Sequence, residues 1–195
     1  MSTIAKLSFE QIRNAVILVF DRAANQLKDH QLCFVGTAAA VVQGVPMRAG
    51  DVDILVEKRE TVDIFARALA DFPCVSPPTW LSDARQYYAA FNIDGAQVEV
   101  STVEWETDSN CLETLGNGPY TRCKRIRFGR HFVPTIRLEL RLATELARRR
   151  RGRYIPLIRW METHGCDTKL LRRAMQAAGL PEQTQRRVLE RIQKR

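Results

Sequence analysis

The sequence predicts a mixed α/β (α+β) fold, in which a β-sheet flanked by helices is followed by a C-terminal helical bundle. Three observations support this fold class. Short apolar runs alternate with helix-periodic segments over 8–72, two β-rich pairs lie over 85–103 and 124–136, and every segment after Arg137 has helical periodicity. With 195 residues and an apolar fraction of 45%, the chain is long enough to bury a core of its own.

The N-terminal half is predicted to alternate helices with strands. Its first helix, over 8–27, has apolar residues at helical spacing, and Ser8 followed by Gln11 is typical of a capping box. The other predicted elements of this half are a strand over 31–35, a helix over 38–43, a strand over 51–56, a helix over 61–72 and a proline-rich connection over 72–80.

Two hairpins and four helices are predicted for the rest of the chain. Asp94-Gly95 is a strong hairpin turn signal within 85–103, and the second hairpin turns at Gly129-Arg130. Residues 107–119 are predicted to form a loop with one helical turn. The helices lie over 137–150, 155–165, 167–179 and 181–195. The change at Arg137 from alternating strands and helices to helices alone predicts one domain over 1–136 and a basic C-terminal helical domain over 137–195.

The charges are divided unequally along the chain, whose formal net charge is +8. Residues 1–120 hold 9 basic and 16 acidic side chains, a balance of −7, whereas residues 121–195 hold 21 and 6, a balance of +15. The first part could hold a cation and the second could meet phosphates. The alternative is that these charges only solvate helix faces.

Cysteine usage and hydropathy favour a cytoplasmic protein that does not contact a membrane. The five cysteines are far apart, form no C-x-x-C pair and do not cluster with the three histidines, so we expect reduced thiols and no zinc site. The N-terminus lacks the layout of a secretory signal, and no apolar run approaches the roughly 18 residues that span a bilayer.

Two aspartates lie in the strand-like segment DVDILV. Side chains at i and i+2 of a strand point to the same face, about 6.5–7 Å apart, so Asp51 and Asp53 would repel each other unless a cation lay between them. Oxygen ligands of this kind suit Mg²⁺. The alternative is an edge strand with two solvent-facing aspartates.

Two further segments favour the metal hypothesis. In FVGT, a strand runs into a helix at Gly36 and Thr37, where backbone N–H groups and a hydroxyl could meet a phosphate. In AQVEVST, Glu99 stands alone among apolar residues, where an unpaired buried charge would be costly. Glu99 either faces the aspartate pair or shares a solvent face with Gln97 and Ser101.

Together these segments resemble the nucleotidyltransferase superfamily typified by DNA polymerase beta. Its signature is a G-[GS] step, a short helix, a strand with two acids spaced as in DVDILV, and a later strand with one acid, as in VEV. The motifs cover roughly residues 30–103. The chain length and the helical tail are similar to its small branches, which include minimal, antibiotic and toxin- or antitoxin-type nucleotidyltransferases.

The resemblance implies a catalytic domain over 1–136 with a nucleotidyltransferase-like mixed sheet. It implies that Asp51 and Asp53 hold two Mg²⁺ ions that bridge the triphosphate, and that Glu99 completes the second metal site and helps to activate the acceptor hydroxyl. Gly36 and Thr37 would bind the β- and γ-phosphates. Thr37 stands where the signature has Gly or Ser and keeps the hydroxyl.

The implied activity is Mg²⁺-dependent transfer of a nucleoside monophosphate from a nucleoside triphosphate, with ATP as the default donor, to a hydroxyl group, with release of pyrophosphate. The acceptor could be a small molecule such as an antibiotic, a protein side chain or an RNA 3′ end. The alternative is a non-catalytic binding protein with this fold, acting as a toxin–antitoxin partner or an RNA-binding module.

Arginines are the remaining candidates for phosphate contacts. Arg48 lies just before the aspartates and is either such a contact or a surface arginine. Many relatives carry a lysine in the first tail helix where this chain has Glu145, so the arginines at 148–150 could substitute for it. The arginine-rich 137–153 helix has Arg137, Arg141 and Arg148 on one face, a stripe that could contact RNA. The alternatives are that these arginines neutralise the triphosphate inside the cleft, or that they only keep the protein soluble.

Overall fold

A computed structural model describes residues 6–102 and 119–193. The described strands are β1 (Leu32–Val35), β2 (Val52–Val56), β3 (Cys74–Leu81), β4 (Gln86–Ile93), β5 (Ala96–Thr102), β6 (Lys124–Phe128) and β7 (His131–Thr135). The described helices are α1 (Phe9–Ala23), α2 (Gly36–Val41), α3 (Arg59–Ala68), α4 (Leu138–Ala147), α5 (Arg151–His164), α6 (Thr168–Ala177) and α7 (Glu182–Gln193).

All seven of these strands form one mixed sheet, in the order β3-β4-β5-β2-β1-β7-β6. β2 runs parallel to β5 and β1 parallel to β7, whereas the other neighbouring pairs are antiparallel. Four helices follow the last strand. The predicted fold class, a mixed sheet flanked by helices and followed by helices, is confirmed.

Residues that cap helices and form turns lie at the ends of the elements in the structure. Ser8 caps α1 in a capping box, because its hydroxyl accepts from Gln11 N and its own N–H donates to Gln11 Oε1. Asp94 and Gly95 both have positive φ angles, as a two-residue hairpin turn requires, and they join β4 to β5. Asp167 caps α6 by accepting from Leu170 N.

The proline-rich segment at 72–80 is not a connection, and that prediction is wrong. Residues 74–81 form β3, which pairs with β4 at one edge of the sheet. Pro77 and Pro78 are compatible with an edge strand because one side of such a strand needs no backbone donors. The pairing shifts register between Cys74 and Ser76 and again between Ser76 and Thr79.

The sheet buries one face completely at its centre. Val52, Ile54 and Val56 are at most 1% exposed, and α1 and α3 contact each other as well as β2 and β5. Because side chains alternate along a strand, Asp53 and Leu55 point to the opposite face. That face is the one on which charged residues collect.

Helix α4 is buried along its length, so Arg141 does not share an exposed stripe with Arg148, and an RNA contact by this segment stays a prediction. Residues 138–146 are all buried, and Arg141 among them is only 5% exposed. The segment 137–153 is not one helix either, since α4 ends at Ala147 and α5 begins at Arg151. Helical periodicity reports the faces of a helix but not whether α2, α5 and α6 surround it.

The prediction of reduced thiols is wrong for Cys33 and Cys123, which form a disulfide. Ninety positions separate them along the chain, but β7 lies between β1 and β6 in the sheet and brings their Cα atoms to 6.8 Å. Cys74 and Cys166 are free.

Some predictions are not tested by this structure. The loop over 107–119 falls outside the described residues, except for position 119, and the domain boundary at 136 stays a prediction. Within 6–102 and 119–193, no helix is both long and apolar enough to cross a bilayer.

Candidate active site

Three carboxylates converge on the open face of the sheet. Asp53 of β2 lies in register with Glu99 of the parallel strand β5, and Asp51 immediately precedes β2. Each offers a carboxylate oxygen, and these oxygens all lie within 4.8 Å of one another. The side chains are half-buried. Of the two orientations that the sequence left open for Glu99, the structure has the one that faces the aspartates. We call Asp51, Asp53 and Glu99 the carboxylate triad.

Gly36 allows the first turn of α2 to approach the triad. Its φ of +74° is one that residues with a side chain rarely adopt, and a Cβ built on it would lie 1.8 Å from Asp53 Oδ2. No other residue type fits here without displacing that carboxylate. The glycine is therefore part of the geometry that places Asp53.

Two neighbours of Glu99 hold its side chain. Gln97 Nε2 donates to Glu99 Oε1 at 2.6 Å, and the Tyr88 hydroxyl donates to the same carboxylate. Burial is the largest effect on Glu99 and raises its pKa, and the nearby Asp51 charge raises it further. The hydrogen bonds from Gln97 and Tyr88 lower this pKa and offset part of the rise. Burial and the triad's charges likewise raise the pKa of Tyr88.

Tyr88 was not predicted as a site residue, although the sequence contains the signal that places it. The Asp94-Gly95 turn fixes the register of β4 on β5, which places Tyr88 opposite Ser101 and Ala90 opposite Glu99. Tyr88 therefore belongs to the same sheet face as the triad.

Arginines from the helical tail form the other side of the cavity that contains the triad. This cavity has a volume of about 520 Å³. We call its four arginines the arginine wall; they come from α4, from the turn after it and from the start of α5, and they are Arg141, Arg148, Arg150 and Arg153. Acidic and basic groups thus face each other across one cavity, which is suited to a ligand that carries both phosphates and bound cations.

A buried glutamate lies behind the arginine wall. Glu145 is completely buried, and its Oε1 pairs with Arg141 and, at 3.6 Å, with Arg153 Nη1. Its Oε2 finds no hydrogen-bond partner among the described residues. Glu145 occupies the position where the resemblance leads one to expect a lysine, and it binds two arginines of the wall instead.

Among the candidate phosphate contacts, Arg148 and Arg150 line this cavity, whereas Thr37 and Arg48 do not. Thr37 is only 5% exposed and does not line it, and Arg48 is exposed on the loop before β2 and does not line it either. Their proposed roles stay predictions. Gly36 does line the cavity.

No protein-family model matches this chain, and neither does any curated protein. Solved structures do resemble it. A suspected nucleotidyltransferase of Thermotoga maritima matches with a TM-score of 0.55 and 19% identity, over 76% of this chain and 91% of the other. An antigenic nucleotidyltransferase-like protein of Paracoccidioides brasiliensis matches with a TM-score of 0.55 and 15% identity, over 96% and 94%. At these identities the likeness concerns the fold.

Proposed function

We propose that this chain, which has the nucleotidyltransferase fold, is a Mg²⁺-dependent enzyme that transfers a nucleoside monophosphate from a nucleoside triphosphate to a hydroxyl group. The observation that supports this most directly is the carboxylate triad facing the arginine wall across one cavity. Pyrophosphate is the second product. ATP is the donor that we would test first.

The donor set of the triad fits a divalent cation. Three half-buried carboxylates whose oxygens lie within 4.8 Å of one another repel each other, and the pKa of Glu99 is raised by burial and by the charge of Asp51. Hard oxygen ligands are those preferred by Mg²⁺, so Asp51, Asp53 and Glu99 would hold two such ions. When bound, the ions would polarise the reacting phosphate and lower the pKa of the attacking hydroxyl.

The protein's own groups have separate tasks in this proposal. Arg148 and Arg150 neutralise the phosphates of the donor, and their charges favour departure of pyrophosphate. Gln97 and Tyr88 hold the Glu99 carboxylate towards the aspartates by their hydrogen bonds. The acceptor oxygen forms a bond to the α-phosphorus, the bond from that phosphorus to the bridging oxygen breaks, and the hydroxyl proton passes to a carboxylate or to water.

A labelling assay tests the proposal. The protein is incubated with Mg²⁺ and each α-labelled nucleoside triphosphate, with cell RNA, with total cell protein and with aminoglycosides as acceptors. We expect label transfer by the wild type and a loss of at least about a hundredfold in Asp53→Asn. The matched control is Asp94→Asn, which removes the same charge from the exposed hairpin turn.

Two outcomes would count against an enzyme. One is equal label transfer by the wild type and Asp53→Asn, and the other is no transfer to any acceptor although the triphosphate binds with Mg²⁺. The second outcome would favour the alternative predicted from the sequence, a binding protein that keeps the fold without the reaction.

A further inference from the structure

A second and larger cavity lies beside the candidate active site. It has a volume of about 1030 Å³ and lies between the turn from β3 to β4 and the helical tail. The tail contributes the end of α4, the start of α5 and the turn from α6 to α7. This volume is at the upper end of the range for small-molecule pockets, so the cavity can hold at least a nucleotide.

The two cavities adjoin each other. Gln86 and Arg148 line both of them. A ligand in the larger cavity would therefore be separated from the active-site cavity only by these two side chains. An acceptor bound there would lie beside donor phosphates held at the arginine wall.

The turn between α4 and α5 distributes its arginines between the two cavities. Arg149 lines the larger cavity, Arg150 lines the active site, and Arg148 lines both. The side chains of 148–151 are exposed, and none of these four arginines forms an ion pair with a carboxylate of the described residues. Unpaired guanidinium groups at a cavity favour an anionic ligand.

The remaining lining determines what kind of anion fits. Asp83 is the single acid among the described lining residues, so a polycation such as an aminoglycoside would meet mostly positive charge. Tyr154 provides a half-buried aromatic ring on which a base can stack. Small and apolar residues, among them Ala147 and Ala178, leave room beside it.

We propose that this larger cavity, the acceptor cleft, binds the 3′-terminal nucleotides of a single-stranded nucleic acid. The terminal base stacks on Tyr154, and Arg149, which lines only this cavity, contacts the backbone phosphate. The inference rests on the proposed function for the reaction itself: the 3′ oxygen forms a bond to the α-phosphorus, pyrophosphate leaves, and the proton goes to a triad carboxylate or to water. RNA and DNA share this chemistry, and the test separates them.

The test measures binding and position without turnover. Ten-nucleotide RNA and DNA with a 5′ fluorophore and a free 3′ hydroxyl are titrated by anisotropy in a metal-free buffer. Oligonucleotides that carry 4-thiouridine or 4-thiothymidine at the 3′ end are then cross-linked by light, and the modified peptide is identified by mass spectrometry. We expect the 3′ cross-link to fall within residues 146–154 or 177–184.

Two variants and one control accompany the wild type. Tyr154→Ala is expected to weaken binding by about fivefold to a hundredfold, the worth of one base stack. Arg149→Asn, which suits the positive φ of +53° at that position, is expected to lower the salt slope by about one. The control Arg159→Ala removes an exposed arginine of α5 that lines neither cavity.

Several results would overturn the inference. They are a 3′ cross-link outside the cleft, variants that bind as the Arg159→Ala control does, or a photoreactive base of the donor triphosphate that labels Tyr154. Failure of the inference is distinguishable from failure of the proposed function. Label transfer to protein or a small molecule without a cleft cross-link refutes only the inference, whereas a cleft cross-link without any label transfer refutes only the reaction.

Discussion

Gly36→Ala is the substitution that tests the site geometry most sharply. Two costs arise from the added methyl group. A φ of +74° costs a residue with a side chain about 1–2 kcal/mol. The new Cβ would also lie 1.8 Å from Asp53 Oδ2, so the carboxylate or the turn must move by about 1.6 Å to reach an ordinary contact of 3.4 Å.

The second cost falls on activity more than on folding. A misplacement of about 1 Å at a reacting centre lowers the rate by roughly a hundredfold, which corresponds to about 2.7 kcal/mol of transition-state stabilisation. We therefore expect Gly36→Ala to lower kcat/KM for label transfer by at least about a hundredfold. Calorimetric titration with Mg²⁺ in the presence of a non-hydrolysable triphosphate should show weakened metal binding as well.

Gly165→Ala is the matched control. Gly165 has a φ of +75°, but a Cβ there meets nothing within 4 Å, so this variant carries the backbone strain without the clash. Thermal unfolding of both variants measures the stability that each one loses. The reasoning is refuted if Gly36→Ala loses no more activity than Gly165→Ala does, or if it binds Mg²⁺ as tightly as the wild type.

Three further predictions concern stability and reactivity. Glu145→Ala leaves two arginines without their buried partner and should lower the free energy of unfolding, measured in urea, by about 3–5 kcal/mol. The control Glu162→Ala breaks an exposed pair with Arg191 and should lower it by under about 1 kcal/mol. Equal losses would contradict the buried pairing. Reducing the disulfide between Cys33 and Cys123, which are 90 positions apart, should lower the free energy of unfolding by about 4–5 kcal/mol. An unfolding curve unchanged by dithiothreitol would exclude this disulfide. Burial and neighbouring acids raise the pKa of Cys166 to about 11. Because the thiolate is the reactive form, the alkylation rate should still rise about tenfold per pH unit between pH 8 and 10. Peptide mass spectrometry follows this rate, and a rate that levels off near pH 9 would contradict the raised pKa.

The triad could be predicted from the sequence because its signals are local. The i, i+2 spacing places Asp51 and Asp53 together, and the isolated charge in VEV marks Glu99. Their convergence needs only that β2 and β5 be neighbours in one sheet. The structure makes them parallel neighbours with Asp53 opposite Glu99.

The arginine wall could be predicted only in part: the arginines at 148–150 were candidates for phosphate contacts, but their arrangement with Arg141 and Arg153 around one cavity was not evident. Periodicity places Arg141 on a face of α4, but burial of that face depends on three other helices, and the pairing with Glu145 follows from that burial. The two cavities depend on a turn at 148–150 whose conformation includes a positive φ at Arg149, which nothing in the run RRRRGR indicates. The disulfide was not predicted for a similar reason, because it depends on the order of strands in the sheet rather than on the spacing of cysteines along the chain.

The order of residues in the chain gives the site a sequence of assembly during synthesis. The triad is complete once residue 99 has been made, but the arginine wall ends at Arg153, and the central strand β1 must wait for β7. At a synthesis rate of about 5–20 residues per second, Glu99 is made some seconds before Arg153. Under the proposed function, a nascent chain arrested between these points has the proposed metal ligands without the arginines proposed to hold the donor's phosphates, so we expect metal affinity to precede nucleotide affinity as the protein is made.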